Sequence, residues 1–182
     1  MTVLQSSPRP SAALKQQCGY FDRAASPFVE VAPPAAALPG DVDAPGEAVS
    51  RRYHPLPVAG RGWIDMHAFA NGLTVSRIDC RMSRPRAEQY QTFPDSLRLN
   101  VVLHGPEALC DRQGRQIEAQ VGDILVRHGD PGPLDWRFPA DSHQAAVALE
   151  LPRAMVQALA QEGVDLSHLG TPGACTVLRP RA

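Results

Sequence analysis

Hydrophobic and polar positions alternate most regularly between Ser96 and Gly129. Leu97, Leu99, Val101 and Leu103 interleave with Arg98, Asn100, Val102 and His104, the period-two signature of a half-buried strand. Asp111 to Gly114 supplies turn chemistry, because glycine accepts positive φ without penalty. Ile117, Ala119 and Val121 resume the alternation, Gly122-Asp123 breaks it, and Ile124-Leu125-Val126 starts another short strand. Upstream, Gly62–Phe69 and Leu73–Cys80 flank Asn71-Gly72, a strong hairpin signal. The polar, basic stretch from Arg81 to Phe93 contains Pro85 and reads as a loop. Downstream, Leu134, Trp136 and Phe138 alternate with Asp135 and Arg137. His143–Leu151 then gives a last strand, with Ala145, Val147, Leu149 and Leu151 on one face and Gln144, Ala146, Ala148 and Glu150 on the other. Short strands this closely spaced predict a small barrel or sandwich, a fold that offers an interior or mouth to a ligand. Alternation fixes which residues share a face and leaves open which face is inside.

After Leu151 the period changes to about 3.6 residues. Pro152 suits the first position of a helix, Met155, Val156 and Leu159 fall on one side of it, and Gly163 is a natural stop. Asp165–Leu169 predicts a second short helical turn, and the tail to Ala182 closes no element. Residues 1–60 are different in kind. Runs such as Val31–Ala37 mix proline with alanine, and proline fixes φ and removes a backbone donor. The expected organisation is therefore a Pro/Ala-rich, partly disordered N-terminal arm (1–60), a β domain (61–151), and a C-terminal helix and tail (152–182). Tyr20, Phe21, Phe28 and Val29 form a small apolar cluster within the arm, and docking it requires burial that offsets the entropy of ordering.

The chain of 182 residues is 43% hydrophobic and 20% charged, enough for one domain with a real core. A net charge of -1 argues against a dedicated nucleic-acid surface. No apolar run approaches the roughly 18 residues that span a bilayer, and the N-terminus shows no secretory pattern, so the expectation is a cytoplasmic protein with no membrane partner. Cys18, Cys80, Cys110 and Cys175 are scattered without CxxC spacing, which points to reduced thiols rather than a zinc site.

Gly72-Leu73, the run Leu97-x-Leu-x-Val-x-Leu-x-Gly105, Gly114, Gly122-Asp123, and the passage of the last strand into Leu151-Pro-Arg153 and a helix occur in a familiar order. Over about residues 62–170 this order resembles the N-terminal effector-sensing domain of AraC-type transcriptional regulators, in particular the branch that senses siderophores, such as the pyochelin and alcaligin regulators. The resemblance implies a mostly β, cupin-like barrel or sandwich with one or two C-terminal helices. It also implies a small-molecule effector, such as a ferric siderophore, and homodimerisation through a helix whose seam would be Met155, Val156 and Leu159. The same helix face covering the barrel is the other reading. The family's paired helix-turn-helix motifs have no counterpart in these residues, so DNA would be contacted only through a C-terminal domain missing from this chain.

Candidate chemistry is sparse. Trp63 and Trp136 offer apolar area with an N–H donor. Arg98 and Arg127, both in strands, bring planar forks suited to carboxylates and phenolates, and Arg98 shares its strand with Asn100 and His104. The six candidate ligand contacts are Trp63, Arg98, Asn100, His104, Trp136 and His143. Core packing explains the tryptophans as well, and ordinary surface strands explain the arginines. No nucleophile sits in a Gly-x-Ser-x-Gly setting and no phosphate-binding glycine loop occurs, so the reading is a binding module, not an enzyme, without a cofactor of its own. The alternative is a cupin-type metalloenzyme that draws on His104, His128, His143 and Glu150 around a divalent metal, although His-x-His, the usual cupin metal motif, is absent. In the sensing reading, iron would arrive carried by the siderophore.

Overall fold

In a computed structural model, residues 27–31, 49–69, 71–90, 96–111 and 114–180 are described, with backbone alone for 86–90. The strands among them are β1 (Phe28–Val31), β2 (Val49–Pro55), β3 (Gly60–Ala68), β4 (Thr74–Met82), β5 (Arg86–Tyr90), β6 (Ser96–His104), β7 (Glu107–Cys110), β8 (Gln116–Ala119), β9 (Ile124–His128), β10 (Leu134–Phe138), β11 (Ser142–Pro152) and β12 (Ala174–Leu178). Helix α1 (Arg153–Gln161) and a 3-10 turn at Ser167–Leu169 follow β11. An eight-stranded sheet runs β1-β2-β3-β4-β11-β6-β9-β12 and a four-stranded sheet runs β5-β10-β7-β8. Every pairing is antiparallel. This is the mostly β, two-layer arrangement that the alternation predicts, and the larger sheet stays open rather than closing as a barrel. No helix among the described residues is long and apolar enough to cross a membrane.

The turns form where the sequence places them. At Asn71-Gly72 the Asn71 side-chain oxygen accepts from the Leu73 amide, and Gly72 has φ of 85°. Asp111 accepts from both the backbone N–H and the Nε of Arg115. Asp123 closes the β8–β9 turn by accepting from the Gln120 amide.

Three segments depart from the sequence expectations. The stretch Arg81–Phe93, expected to be a loop, contains β5, paired with β10 along its length; the β10 partner supplies the pairing that local composition does not encode. The span 1–60, expected to be an arm, contributes β1 and β2 to the large sheet. Phe28 packs against the core while Val29 is exposed; Tyr20 and Phe21 lie outside the described residues. The tail, expected to close nothing, pairs as β12 with β9.

Two apolar clusters fill the space between the sheets. One gathers Tyr53, Ile64, Met66, Ala68, Cys80 and Met82 beneath β2–β4. The other gathers Val102, Leu109, Ala119, Leu125, Leu134 and Cys175 from both sheets. β11 stands between them. On β11 the buried side chains are Gln144, Ala146, Ala148 and Glu150, and Leu149 of the more apolar face is exposed. On β6 the inner side is that of Arg98, Asn100 and Val102, while Leu99 and Val101 are half-buried on the outer side and Leu103 is exposed. Small alanines and polar groups thus occupy the middle of the sandwich. Helix α1 lies against β11 and β6 with Met155, Val156 and Leu159 half-buried.

Close approach of β3 and β4 requires glycine at position 62. Gly62 has φ of +124°, and a Cβ there would sit 2.1 Å from the Asp79 carbonyl oxygen. Gly62→Ala is expected to destabilise the fold by at least about 2 kcal/mol. Urea unfolding should show this as a lower midpoint with an unchanged slope.

Candidate functional site

The antiparallel registers place Glu150 opposite Arg98, Arg98 opposite Arg127 and Arg127 opposite Cys175. One row of side chains therefore crosses β11, β6, β9 and β12 on the inner side of the sheet. Glu150 accepts from Arg98 NH1 at 3.1 Å and from Ser96 Oγ at 2.7 Å. In the next row, Asn100 Nδ2 donates to both oxygens of Glu107, at 2.6 Å each. Glu107 belongs to β7, so this contact joins the two sheets. Asn100, Glu107, Arg127 and Glu150 are all buried, and Arg98 is nearly so.

Charge in such a place has consequences. Burial pushes the Glu107 carboxyl up to about 7, against the downward pull of Asn100, Arg98 and Arg127, because a carboxylate loses more on desolvation than it regains from these partners. Below that pH the neutral Glu107 no longer offsets the charge of Arg98 and Arg127. Burial also pushes Cys175 up to about 11 and Cys80 to about 12, which keeps both as thiols. Cys80, Cys110 and Cys175 are free and buried; Cys18 lies outside the described residues. Trp136 and Phe138 stack on β10 with ring centroids 5.3 Å apart. Trp136 packs on the cluster that contains Leu109 and Phe138 on the one that contains Tyr53, so the aromatic pair spans both.

The structure divides the six sequence candidates. Arg98, Asn100 and Trp136 face the interior together. Trp63, His104 and His143 lie on the outer side of the large sheet. Trp63 stands between two guanidiniums, Arg52 at 5.1 Å and Arg77 at 5.2 Å from its ring centroid, and Arg52 is also paired with Asp65 through two hydrogen bonds. His104 and His143 bring their rings to 4.1 Å, and His143 Nε2 lies 2.8 Å from Asp79 Oδ1. Parity along β6 would send His104 inward with Arg98 and Asn100. A register shift of β6 against β11, between Ala145 and Ala146, turns it outward instead, as bulges do.

Sequence reasoning missed Glu107 as a site residue, and it noted Arg127 as a strand arginine suited to anions without placing it among the six candidates. Two signals point to them: Ala146 and Ala148 share a face with Glu150, as small residues do around a crowded interior, and Arg127 interrupts the apolar run that begins at Ile124. The residues of the metalloenzyme alternative do not converge as a set, since only His104 and His143 meet. His128 Nδ1 lies 3.1 Å from the Gly170 carbonyl oxygen, His104 and His143 are outside, and Glu150 is inside. Among the described residues no three His, Cys, Asp or Glu side chains are grouped to hold a metal ion.

Among solved structures, an RmlC-like cupin protein from Desulfovibrio desulfuricans is 15% identical, with 50% of this chain and 83% of that one covered at a TM-score of 0.39. The AraC-like transcriptional activator CuxR is 14% identical over 56% of this chain and 36% of its own, at a TM-score of 0.38. The Fe(II) form of HppE is 12% identical over 48% of this chain and 50% of its own, at a TM-score of 0.37. Regulators and enzymes stand side by side at these low scores, so the likenesses decide nothing about activity. No protein-family model matches the sequence, and no curated protein does.

The raised Glu107 pKa carries a sign. From its ordinary 4.5 to about 7, the folded state binds the proton that the unfolded state has released, so stability falls as pH rises through that window. Glu107→Gln should remove this component. Relative to the variant, the wild type is expected to lose on the order of 3 kcal/mol between pH 4.5 and pH 8, read by urea unfolding at the two values.

Proposed function

We propose that this chain is a ligand-binding module that takes a small anionic effector inside the sandwich. The observation that carries this reading is the buried row Glu150–Arg98–Arg127, with Glu107 held on Asn100 above it. A protein has little structural reason to set two guanidiniums opposite each other in its interior, since desolvation opposes it. An anion entering between the sheets would meet both guanidiniums of this row, and bidentate donation from arginine suits a carboxylate or phenolate. Trp136 and Phe138 add a stacked aromatic wall, which favours a ligand with a ring of its own.

In the finer form of the proposal, the effector is a ferric siderophore of phenolate type and the chain is the sensing domain of an AraC-type regulator, with DNA contacts made by a domain outside these residues. This rests on the order of motifs from Gly72 to the Leu151-Pro-Arg153 helix junction. Signalling then requires that the effector favour one arrangement of the domain over another, because equal affinity shifts no population. A cytoplasmic location and a homodimer through α1 belong to the same reading. Binding without turnover is favoured over metal-dependent catalysis because His128 and Glu150 lie apart from the one histidine pair, His104 and His143.

Calorimetry against aromatic carboxylates, phenolates and ferric siderophores tests the proposal. Arg98→Lys keeps the charge beside Glu150 and loses the fork, and should weaken an anionic ligand about tenfold or more. Trp136→Leu should weaken an aromatic ligand by a similar factor. Trp63→Leu, on the outer side, should leave binding unchanged. A ligand whose affinity responds to Trp63 and ignores both Arg98 and Trp136 would place the site elsewhere.

A further inference from the structure

The outer side of the large sheet holds a second pair of opposed arginines. In the β3–β4 register Arg61 stands directly opposite Arg81, and Arg81 stands opposite His143 on β11. Directly opposed side chains on an antiparallel pair have Cβ atoms about 4.5–5.5 Å apart, and like charges there are destabilising. Both arginines are exposed. Neither takes part in a salt bridge among the described residues. The nearest carboxylate along the strand, Asp79, is engaged by His143.

The two guanidiniums also share a concavity. Arg61 and Arg81 line a cavity of about 490 Å³ together with Pro57, Gly60, Ser83 and Asp141. Asp141 is the one non-glycine residue with positive φ among those described, at 53°, and it sits at the turn that leads into β11. A repulsive pair with no salt-bridge partner among the described residues, set in a hollow that Ser83 and Asp141 also line, has the make-up of an anion site. We propose that Arg61 and Arg81 bind the phosphate group of a small molecule, free phosphate or a phosphate monoester, on the outer face of the sheet. Two forks bridge one tetrahedral oxyanion. Ser83 donates to it or to an ester oxygen, and Asp141 accepts from hydroxyls of the organic part. This site is separate from the interior and does not depend on what binds there.

Thermal unfolding of the full chain tests this, with inorganic phosphate and glycerol 3-phosphate titrated against sodium chloride at matched ionic strength. Phosphate is expected to raise Tm beyond chloride, with a saturating dependence. Arg61→Gln and Arg81→Gln should each weaken the apparent affinity at least tenfold. Arg81→Glu turns the repulsive pair into an attractive one. It should raise Tm in the absence of phosphate and abolish the phosphate response. Arg98→Lys should leave the response intact, which separates this site from the interior one. Equal effects of phosphate and chloride would reduce the pair to ordinary charge screening. A phosphate effect that persists in the Arg61→Gln, Arg81→Gln double variant would reduce it to general salting-out. Either result overturns the proposal.

Discussion

The sandwich is organised around charge that it keeps out of water. Arg98 and Arg127 face each other on adjacent strands, and both lie on the inner side of the large sheet. Removing a guanidinium from water costs several kcal/mol unless partners replace the solvent. Glu150 from β11 accepts from Arg98 and is itself held by Ser96, while Glu107 of the opposite sheet, held by Asn100, interacts electrostatically with both arginines. A one-residue slip of β6 would carry Arg98 and Asn100 to the outer side and Leu97, Leu99 and Val101 inward. That exchange would strand Glu150 and Glu107 without partners. The polar row therefore fixes the register that the surrounding apolar clusters tolerate less selectively.

The same sheet carries opposed arginines on both of its sides. Inside, Arg98 and Arg127 have Glu150 and a titrating Glu107 within their network. Outside, Arg61 and Arg81 share a hollow whose one carboxylate, Asp141, forms no salt bridge to either. The contrast follows from dielectric. Interior charges must be matched within the protein or by a ligand, whereas surface charges can wait for solutes from solvent.

Turn residues made much of the architecture legible. Asn71-Gly72, Asp111–Gly114 and Gly122-Asp123 mark their turns because local side chains bond the backbone there, which is chemistry visible in a short window. β5 and β12 were not legible, because their pairing comes from β10 and β9, distant in sequence. The inside and outside of β6 and β11 were misleading by hydropathy alone. Leu149 and Leu103 look like core residues and are exposed, while Gln144, Asn100 and Glu150 look like surface residues and are buried. Of the candidate site, Arg98, Asn100 and Trp136 were found through parity and aromatic content. Glu107 was passed over, because nothing near it in sequence indicates that β7 crosses above Asn100.

The register shift at Ala145 and Ala146 has a meaning beyond the geometry of one strand. It decides whether the imidazole of His104 belongs to the interior or to solvent, without altering the residue itself. One extra residue in β6 changes the chemistry available on each side of the sheet, where a substitution would change only one side chain. Insertion and deletion at this point act as a selector of address, and two chains with the same histidine could differ in whether it meets a ligand at all.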